Sequence, residues 1–448
     1  PGSRMSYSNM GYTLAGMVIE AVSGQRYEAY LDEQLLRPLG LTDSSFRFLS
    51  QEGPQADSRL AMGHFEGGAT QAAVPSFLRP AGQFNTTAAD MGRLARFLLA
   101  GDGLVEGQVF IAPELLRQMG RPTGTEAARA GLTVGYALGL YTRDRHGAVG
   151  LCHGGSTIGF RAMLCMYPQQ GKAFFMAINT DSESADPAAL DKLLLPALQL
   201  GQGPAQPRPG PGLDSGHSSA WEGWYVPAPN RLASLAWVDT LFGFARLRRD
   251  AAGALHFEPL QSPGQLLSPV DGGQLYRAPG RLTASHALLR GADGAHVIST
   301  GTQSYEKVSL LRQLLPLWAS LGLGLLGLLQ LLIVGLPRLP RLLSGRLGWS
   351  HPALLPSAVL LALLLLPATL LLHQSMLQLG DLTLASGLLA VLTAALPLVL
   401  LAGLLLHGQQ GQGSRGLRAW LDALAMVGLL QLCAVLAAWG LLPLRLWV

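Results

Sequence analysis

The hydrophobic pattern changes character along the chain. Four almost unbroken apolar runs, at about 313–336, 353–373, 382–406 and 419–443, are each near the ~20 residues that carry a helix across a bilayer. Residues 310–448 therefore read as a membrane domain of four transmembrane helices. Pro316, Pro367, Pro397 and Pro443 fall within or at the ends of these runs, which lipid-buried helices tolerate where neighbours satisfy the freed carbonyls. From 220 to 309 the pattern becomes short apolar runs, such as Gly253-Ala254-Leu255-His256-Phe257 and Ala295-His296-Val297-Ile298. Turn signals at 250–253, Asp271-Gly272-Gly273 and Asp293-Gly294 separate them, the signature of a small β-rich module. Nothing in it points to catalysis, and it reads as a spacer or a lid. Residues 1–200 alternate helical and strand-like periods, as an α/β unit does. Here Met10, Leu14, Val18 and Val22 recur every four residues, predicting a helix from Tyr7-Ser8-Asn9 to about Val22, closed by Gly24, with those four side chains buried. The stretch 201–219, GQGPAQPRPGPGLDSGHSS, lacks apolar side chains to pack and reads as a linker.

Composition agrees with several units, part of them in lipid. At 448 residues the chain exceeds what one core supports, and its 13% charged residues compare with about 25% in soluble proteins. The net charge is +4, but no stretch interleaves several basic residues with aromatics, which argues against nucleic acid as a partner. Around the apolar runs the first connection carries Arg338, Arg341 and Arg346, the third Arg415 and Arg418, and the second only Asp381. Positive charge marks the cytoplasmic side. The expected topology is an integral protein of a bacterial inner membrane, with residues 1–309 on the periplasmic or extracellular side. Ionisable side chains are almost absent from the centres of the runs, so they read as anchors. The three cysteines, Cys152, Cys165 and Cys433, offer no Cys-x-x-Cys metal spacing. Cys152 and Cys165 are placed to meet across a hairpin, but two buried free thiols are the favoured reading.

Two short motifs carry candidate chemistry. Tyr7-Ser8-Asn9 opens the first helix, where Asn9 serves either as a cap or as a functional amide. Leu151-Cys152-His153-Gly154-Gly155-Ser156-Thr157-Ile158-Gly159-Phe160 places small residues after a histidine on a strand. A substrate backbone can lie against such a strand, with the Ser156 N–H donating to a developing oxyanion. The alternative is a glycine-rich hairpin with an incidental histidine.

In this order, about 145 residues apart, the two motifs resemble the Tyr-x-Asn and Lys-Thr-Gly or His-x-Gly motifs of the class C β-lactamase group. That group includes D-alanyl-D-alanine carboxypeptidases, related esterases and other penicillin-binding-protein-like serine hydrolases. Pro1 to Tyr12, Arg37-Pro38-Leu39-Gly40-Leu41-Thr42-Asp43-Ser44, Pro80 to Met91 with its Thr87/Asp90 capping pair, and Asn179-Thr180-Asp181 are similar to further segments of that family. The resemblance covers residues 1 to about 200 and implies an α/β (α+β) β-lactamase-like serine hydrolase domain there. It also implies a serine that attacks a carbonyl and forms an acyl-enzyme, with Tyr7 as general base or acid. Asn9 would orient the Ser-x-x-Lys lysine and bind the substrate amide, and His153 would fill the third-motif position. Gly154, Gly155 and Ser156 would form the substrate-binding and oxyanion strand. No metal or organic cofactor is implied. The expected partners are a small-molecule or peptide substrate, cell-wall derived, and the lipid bilayer.

The family places Ser-x-x-Lys upstream of the tyrosine, and only six residues precede Tyr7 here. The expectation is an N-terminally truncated chain that lacks the nucleophile and has no acyl-transfer activity by itself. The string Ser304-Tyr305-Glu306-Lys307 follows both other motifs and is expected to be a chance match. Two functions remain open: a membrane-anchored serine hydrolase acting through an acyl-enzyme on an amide, ester or D-amino-acid peptide outside the cytoplasm, and a catalytically inactive pseudoenzyme or binding module displayed on the membrane.

Overall fold

The computed structural model describes residues 2–54, 56–76, 78–181, 187–200, 210, 219–230, 235–270, 273–374, 378, 380–410 and 416–447. The predicted linker at 201–219 lies outside these apart from Gly210 and Ser219, as do Asp271, Gly272 and Arg415. The chain divides into two compact units, Pro1–Arg231 with Gly243–Lys307, and Leu232–Phe242 with Val308–Val448.

The first unit opens with α1 (Asn9–Ser23), α2 (Tyr27–Leu31), the strand pair β1 (Gly63–His64) and β2 (Thr70–Gln71), α3 (Arg79–Gly82) and α4 (Ala88–Ala100). A short pair, β3 (Leu104–Val105) and β4 (Gln108–Val109), leads to α5 (Pro113–Gln118) and α6 (Glu126–Arg129). An antiparallel five-stranded sheet follows, with β5 (Gly135–Tyr136), β6 (Tyr141–Arg145), β7 (Ala148–Thr157), β8 (Phe160–Tyr167) and β9 (Lys172–Ile178) in spatial order, before α7 (Asp191–Ala197). Because side chains alternate along a strand, the sheet has two apolar faces. Met91 and Ala95 of α4 cover Leu164 and Met166 on one, and Leu195 of α7 covers Cys152, Cys165 and Phe174 on the other.

Two expectations for this unit are corrected. Met10, Leu14, Val18 and Val22 are 58, 57, 61 and 84% exposed rather than buried. α1 packs instead through its small-residue side, where a Cβ on Gly16 would stand 2.3 Å from Pro80 Cγ. Cys152 and Cys165 are joined in a disulfide and are not free thiols. They face each other directly across β7 and β8 with Cα atoms 4.1 Å apart, which brings the sulfurs into bonding range.

The β-rich region is a closed antiparallel barrel of eight strands: β10 (Gly223–Pro227), β11 (Ala245–Arg249), β12 (Leu255–Pro259), β13 (Gln265–Pro269), β14 (Leu275–Arg277), β15 (His286–Arg290), β16 (His296–Ser299) and β17 (Ser304–Val308). Inward positions Tyr225, Leu247, Phe257, Leu267, Tyr276 and Ile298 fill its interior with a packed core. The spacer-or-lid reading gives way, because the barrel shares a second core with the α/β domain. Ala127, Leu132 and Val134 pack with Leu275, Ala287, Leu289 and Val297. The carboxylate of Asp144 on β6, 4% exposed, accepts hydrogen bonds from Leu282 N–H (2.8 Å), Thr283 N–H (2.8 Å) and Thr283 Oγ1 (3.0 Å) in the β14–β15 loop.

In the second unit, among the described residues, four helices are long and apolar enough to cross a membrane: Leu310–Leu343, Leu354–Leu371, Leu384–Gln409 and Leu417–Ala438. The first continues through Pro337 and Pro340, so Arg338 and Arg341 stand in its last turns rather than in a loop. The fourth stops at Ala438, short of Pro443. Glycines bring the helices together, Gly324 against Leu432, Gly335 against Ser357 and Gly428 against the Leu323 carbonyl. Asp422 is buried and accepts a hydrogen bond from Gln330 Nε2 at 2.9 Å, a polar pair the charge pattern did not suggest.

Candidate active site

Tyr7 lies two residues ahead of α1. The cap of that helix is Ser8, whose Oγ accepts from Gly11 N–H at 3.1 Å. Asn9 is the first helical residue, exposed, and its side-chain amide makes no hydrogen bond among the described residues. The cap therefore does not consume the asparagine.

Folding brings Tyr7 to His153. Their ring centroids are 6.5 Å apart, although 145 residues of chain separate them. A third ring completes the cluster: Tyr136 on β5 is 5.1 Å from Tyr7 and 6.4 Å from His153. Tyr136 was not predicted. Its only local mark is the preceding Gly135, held at φ +139°, and it reaches the site because β5, β6 and β7 are neighbours in the sheet.

Alternation along β7 sets what each residue offers. Cys152, Gly154 and Ser156 project to one face, where the disulfide joins the core under α7. His153 and Gly155 project to the other. No atom lies within 4 Å of where a Gly155 Cβ would stand, so the strand beside His153 is bare. The close Cys152–Cys165 pair marks a non-hydrogen-bonded position of the β7–β8 ladder. Counting by twos, Gly154 and Ser156 turn their N–H groups away from β8. β6 pairs with β7 only from Ala148 to Cys152, so on that side Gly154 and Ser156 meet no described strand. Gly155 and Ser156 are exposed. The geometry leaves the exposed Ser156 N–H on an edge with no described strand opposite, where it can serve as one donor to an oxyanion.

His153 is half-buried. Burial pushes its pKa below the ordinary histidine value, and a hydrogen bond with the Gly154 backbone offsets part of that. The imidazole is therefore neutral near pH 7 and able to accept a proton. No group of three or more His, Cys, Asp or Glu among the described residues is placed to hold a metal.

The string Ser304-Tyr305-Glu306-Lys307 forms barrel strand β17. Residues three apart on a strand face opposite ways. Ser304 is buried with its Oγ 3.2 Å from Ser299 Oγ, and Lys307 Nζ donates to the Ala220 carbonyl at 2.6 Å. These two side chains do not form a nucleophile–lysine pair.

Residues 1–199 match the family model described as Beta-lactamase. Among curated proteins, the chain is similar to a human protein described as beta-lactamase-like 1, with 35% identity over 103 residues, 22% of this chain and 20% of that protein. It is also similar to protein flp of Staphylococcus aureus, with 25% identity over 187 residues, 41% of this chain and 35% of that protein. The chain thus spans between a fifth and about a third of the length of these relatives. Among solved structures it is similar to SurE (TM-score 0.41, 23% identity, 69% of each chain) and to a class C beta-lactamase (TM-score 0.35, 17% identity, 44% of this chain and 58% of that one).

Proposed function

We propose that the β-lactamase-family domain over residues 1–199 supplies the proton-transfer and oxyanion part of an acyl-transferring serine hydrolase anchored by four membrane helices. The observation that carries the reading is the meeting of Tyr7 and His153, 6.5 Å apart, beside the bare, donor-bearing edge of β7. As a serine Oγ attacks the substrate carbonyl, Tyr7 takes its proton and returns one to the leaving group. Neutral His153 shares that proton traffic. Asn9 orients the partner lysine and the substrate amide, Gly155 leaves room for the substrate backbone on the His153 face, Gly154 presents only its backbone to the open edge, and the Ser156 N–H stabilises the oxyanion. The substrate class is an amide, ester or D-amino-acid peptide, cell-wall derived. Two features support a site outside the cytoplasm, in the periplasm of a bacterial inner-membrane protein: the arginines in and beside the first and third helix connections, and the Cys152–Cys165 disulfide, since such bonds persist in oxidising compartments.

A second reading is a binding module that does no chemistry; the string Ser304-Tyr305-Glu306-Lys307, with its serine and lysine on opposed faces, supplies a nucleophile to neither reading. The test uses the full gene product, with any coding sequence upstream of Pro1, treated with a fluorophosphonate and with p-nitrophenyl esters. The hydrolase reading expects one labelled serine and a turnover that Tyr7→Phe lowers by about 10²–10⁴-fold. Absence of both labelling and turnover overturns it in favour of the binding module.

A further inference from the structure

The barrel touches the site's surroundings at two points that share one strand pair, β16 and β17. The first is an ion pair. Arg4, three residues before Tyr7 and only 16% exposed, donates from Nη1 to Glu306 Oε2 on β17 at 2.7 Å, and its Nε lies 3.7 Å from Glu126 Oε2 on α6. The neighbouring Ser3 carbonyl accepts from Glu126 N–H at 2.7 Å. The segment leading into Tyr7 is therefore clasped between α6 and the barrel.

The second point is a backbone contact. Gly301, in the β16–β17 turn at φ +80°, lies so close to β5 that a Cβ there would stand 2.2 Å from the Val134 carbonyl oxygen. A Cβ on Gly135 would meet the Gly301 carbonyl oxygen at 2.7 Å. Tyr136, the next residue, carries the ring that packs on both Tyr7 and His153. Between the two contacts remains a cavity of about 10 Å³, lined by Ser3, Arg4, Thr125, Glu126, Gly301 and Ser304, at most the room one water needs.

Resting on the hydrolase reading above, we infer that the barrel is a positioning device for the active site: the Arg4–Glu306 pair and the Gly301–Gly135 contact fix where the rings of Tyr7 and Tyr136 stand against His153. Arg4, Glu306 and Gly301 are positioning residues, and Tyr136 is the wall against which the base is set. A catalytic group must be held to within about 0.5 Å by its supporting shell. A backbone contact that excludes even a methyl group, together with an ion pair whose arginine is 16% exposed, is the kind of support that requirement calls for.

The experiment places 3-fluorotyrosine at position 7, and separately at position 167 in the buried core under α7, in the full chain in detergent. Fluorine spectra are compared for the unsubstituted chain, Glu306→Ala and Glu306→Gln. The expected result is that Glu306→Ala shifts or broadens the resonance at 7 and leaves that at 167 in place. Glu306→Gln, which keeps an acceptor for Arg4, is expected to restore most of the original line. A resonance at 7 that superimposes on that of the unsubstituted chain overturns the proposal. So does a resonance at 167 that moves as much as that at 7 in both variants, since the pair then supports the fold as a whole. In parallel, Glu306→Ala in the full gene product is expected to lower kcat by about 10–100-fold with little change in KM. If that product turns nothing over, the hydrolase reading fails while the fluorine spectra still decide the positioning.

Discussion

Lowering the pH is expected to loosen the barrel, and the largest histidine contribution comes from one buried ring. His286 on β15 is 4% exposed, its Nδ1 lies 2.9 Å from Ser285 Oγ, and its ring packs edge-on against Phe257 at 5.2 Å. Burial first, and the positive charge of Arg281 second, push its pKa from 6.5 down to about 4. A folded-state value below the unfolded one means that the unfolded chain takes up the proton first. The stability is therefore whole above about pH 6.5, falls as the pH drops, and stops falling near pH 4. Each pH unit in that window costs about 1.4 kcal/mol, or about 3 kcal/mol across it. Against the 5–15 kcal/mol typical of a domain, that is a large fraction. The assay is pulse proteolysis in urea on the full chain in detergent, from pH 7.5 to 4, with cleavage inside β14–β16 read by mass spectrometry. His286→Gln provides the reference, because glutamine does not titrate and its own cost is constant with pH. The difference between the two chains should move in favour of the variant by about 1.4 kcal/mol for each pH unit between 6.5 and 4. Parallel curves throughout would refute the reasoning. Because Glu306 belongs to the same barrel, the acid transition should also release Arg4 and with it Tyr7.

Asp144→Ala removes the acceptor of three hydrogen bonds from the β14–β15 loop, and each bond to a charged group is worth about 1.5–3 kcal/mol. Amide exchange at Leu282 and Thr283 should accelerate by at least ten-fold, and rates within two-fold of the original would count against the clasp. Gly16→Ala drives a methyl group into the Pro80 ring and should destabilise by about 1–3 kcal/mol despite its gain in helix propensity. Val22→Ser, on the exposed face, should stay within about 0.5 kcal/mol; thermal midpoints that reverse this order would place the buried side of α1 wrongly. Cys152→Ser, which opens the disulfide across a separation of 13 residues, should lower stability by about 2–3 kcal/mol. The same loss should appear when the unsubstituted chain is reduced, and insensitivity to reductant would contradict it.

What the sequence made legible was whatever repeats or sits in a local motif. The apolar runs are long enough that no packing argument is needed to find them. The β-rich stretch announced its strands through its turns, but not that eight of them close. The errors came where one pattern has two structural solutions. A stripe at every fourth position marks a helix face, yet which face is buried depends on what stands opposite, and α1 turns Gly16 toward Pro80 and Tyr27. The Tyr7–His153 meeting was visible only through family resemblance. Tyr136 and the Arg4–Glu306 pair were invisible, since a contact across 302 residues leaves no mark in composition or period.

The disulfide was legible in principle, and the reason bears on the site. A two-residue turn at Ile158-Gly159 is the smallest that the hairpin admits, with Thr157 opposite Phe160 and Gly159 at φ +77°. Counting outward from it pairs Cys152 with Cys165. The same count fixes the parity of β7, and parity decides chemistry here. A one-residue slip would turn His153 into the core beneath α7 and expose a cysteine in its place. Glycine-rich strands hold their register weakly, and Gly154 and Gly155 lie in the part of β7 that has no β6 neighbour. The covalent bond at Cys152, immediately before His153, pins the register where the ladder is least able to do so. The bond thus keeps the histidine on the face of Tyr7 and the Ser156 N–H on the open edge.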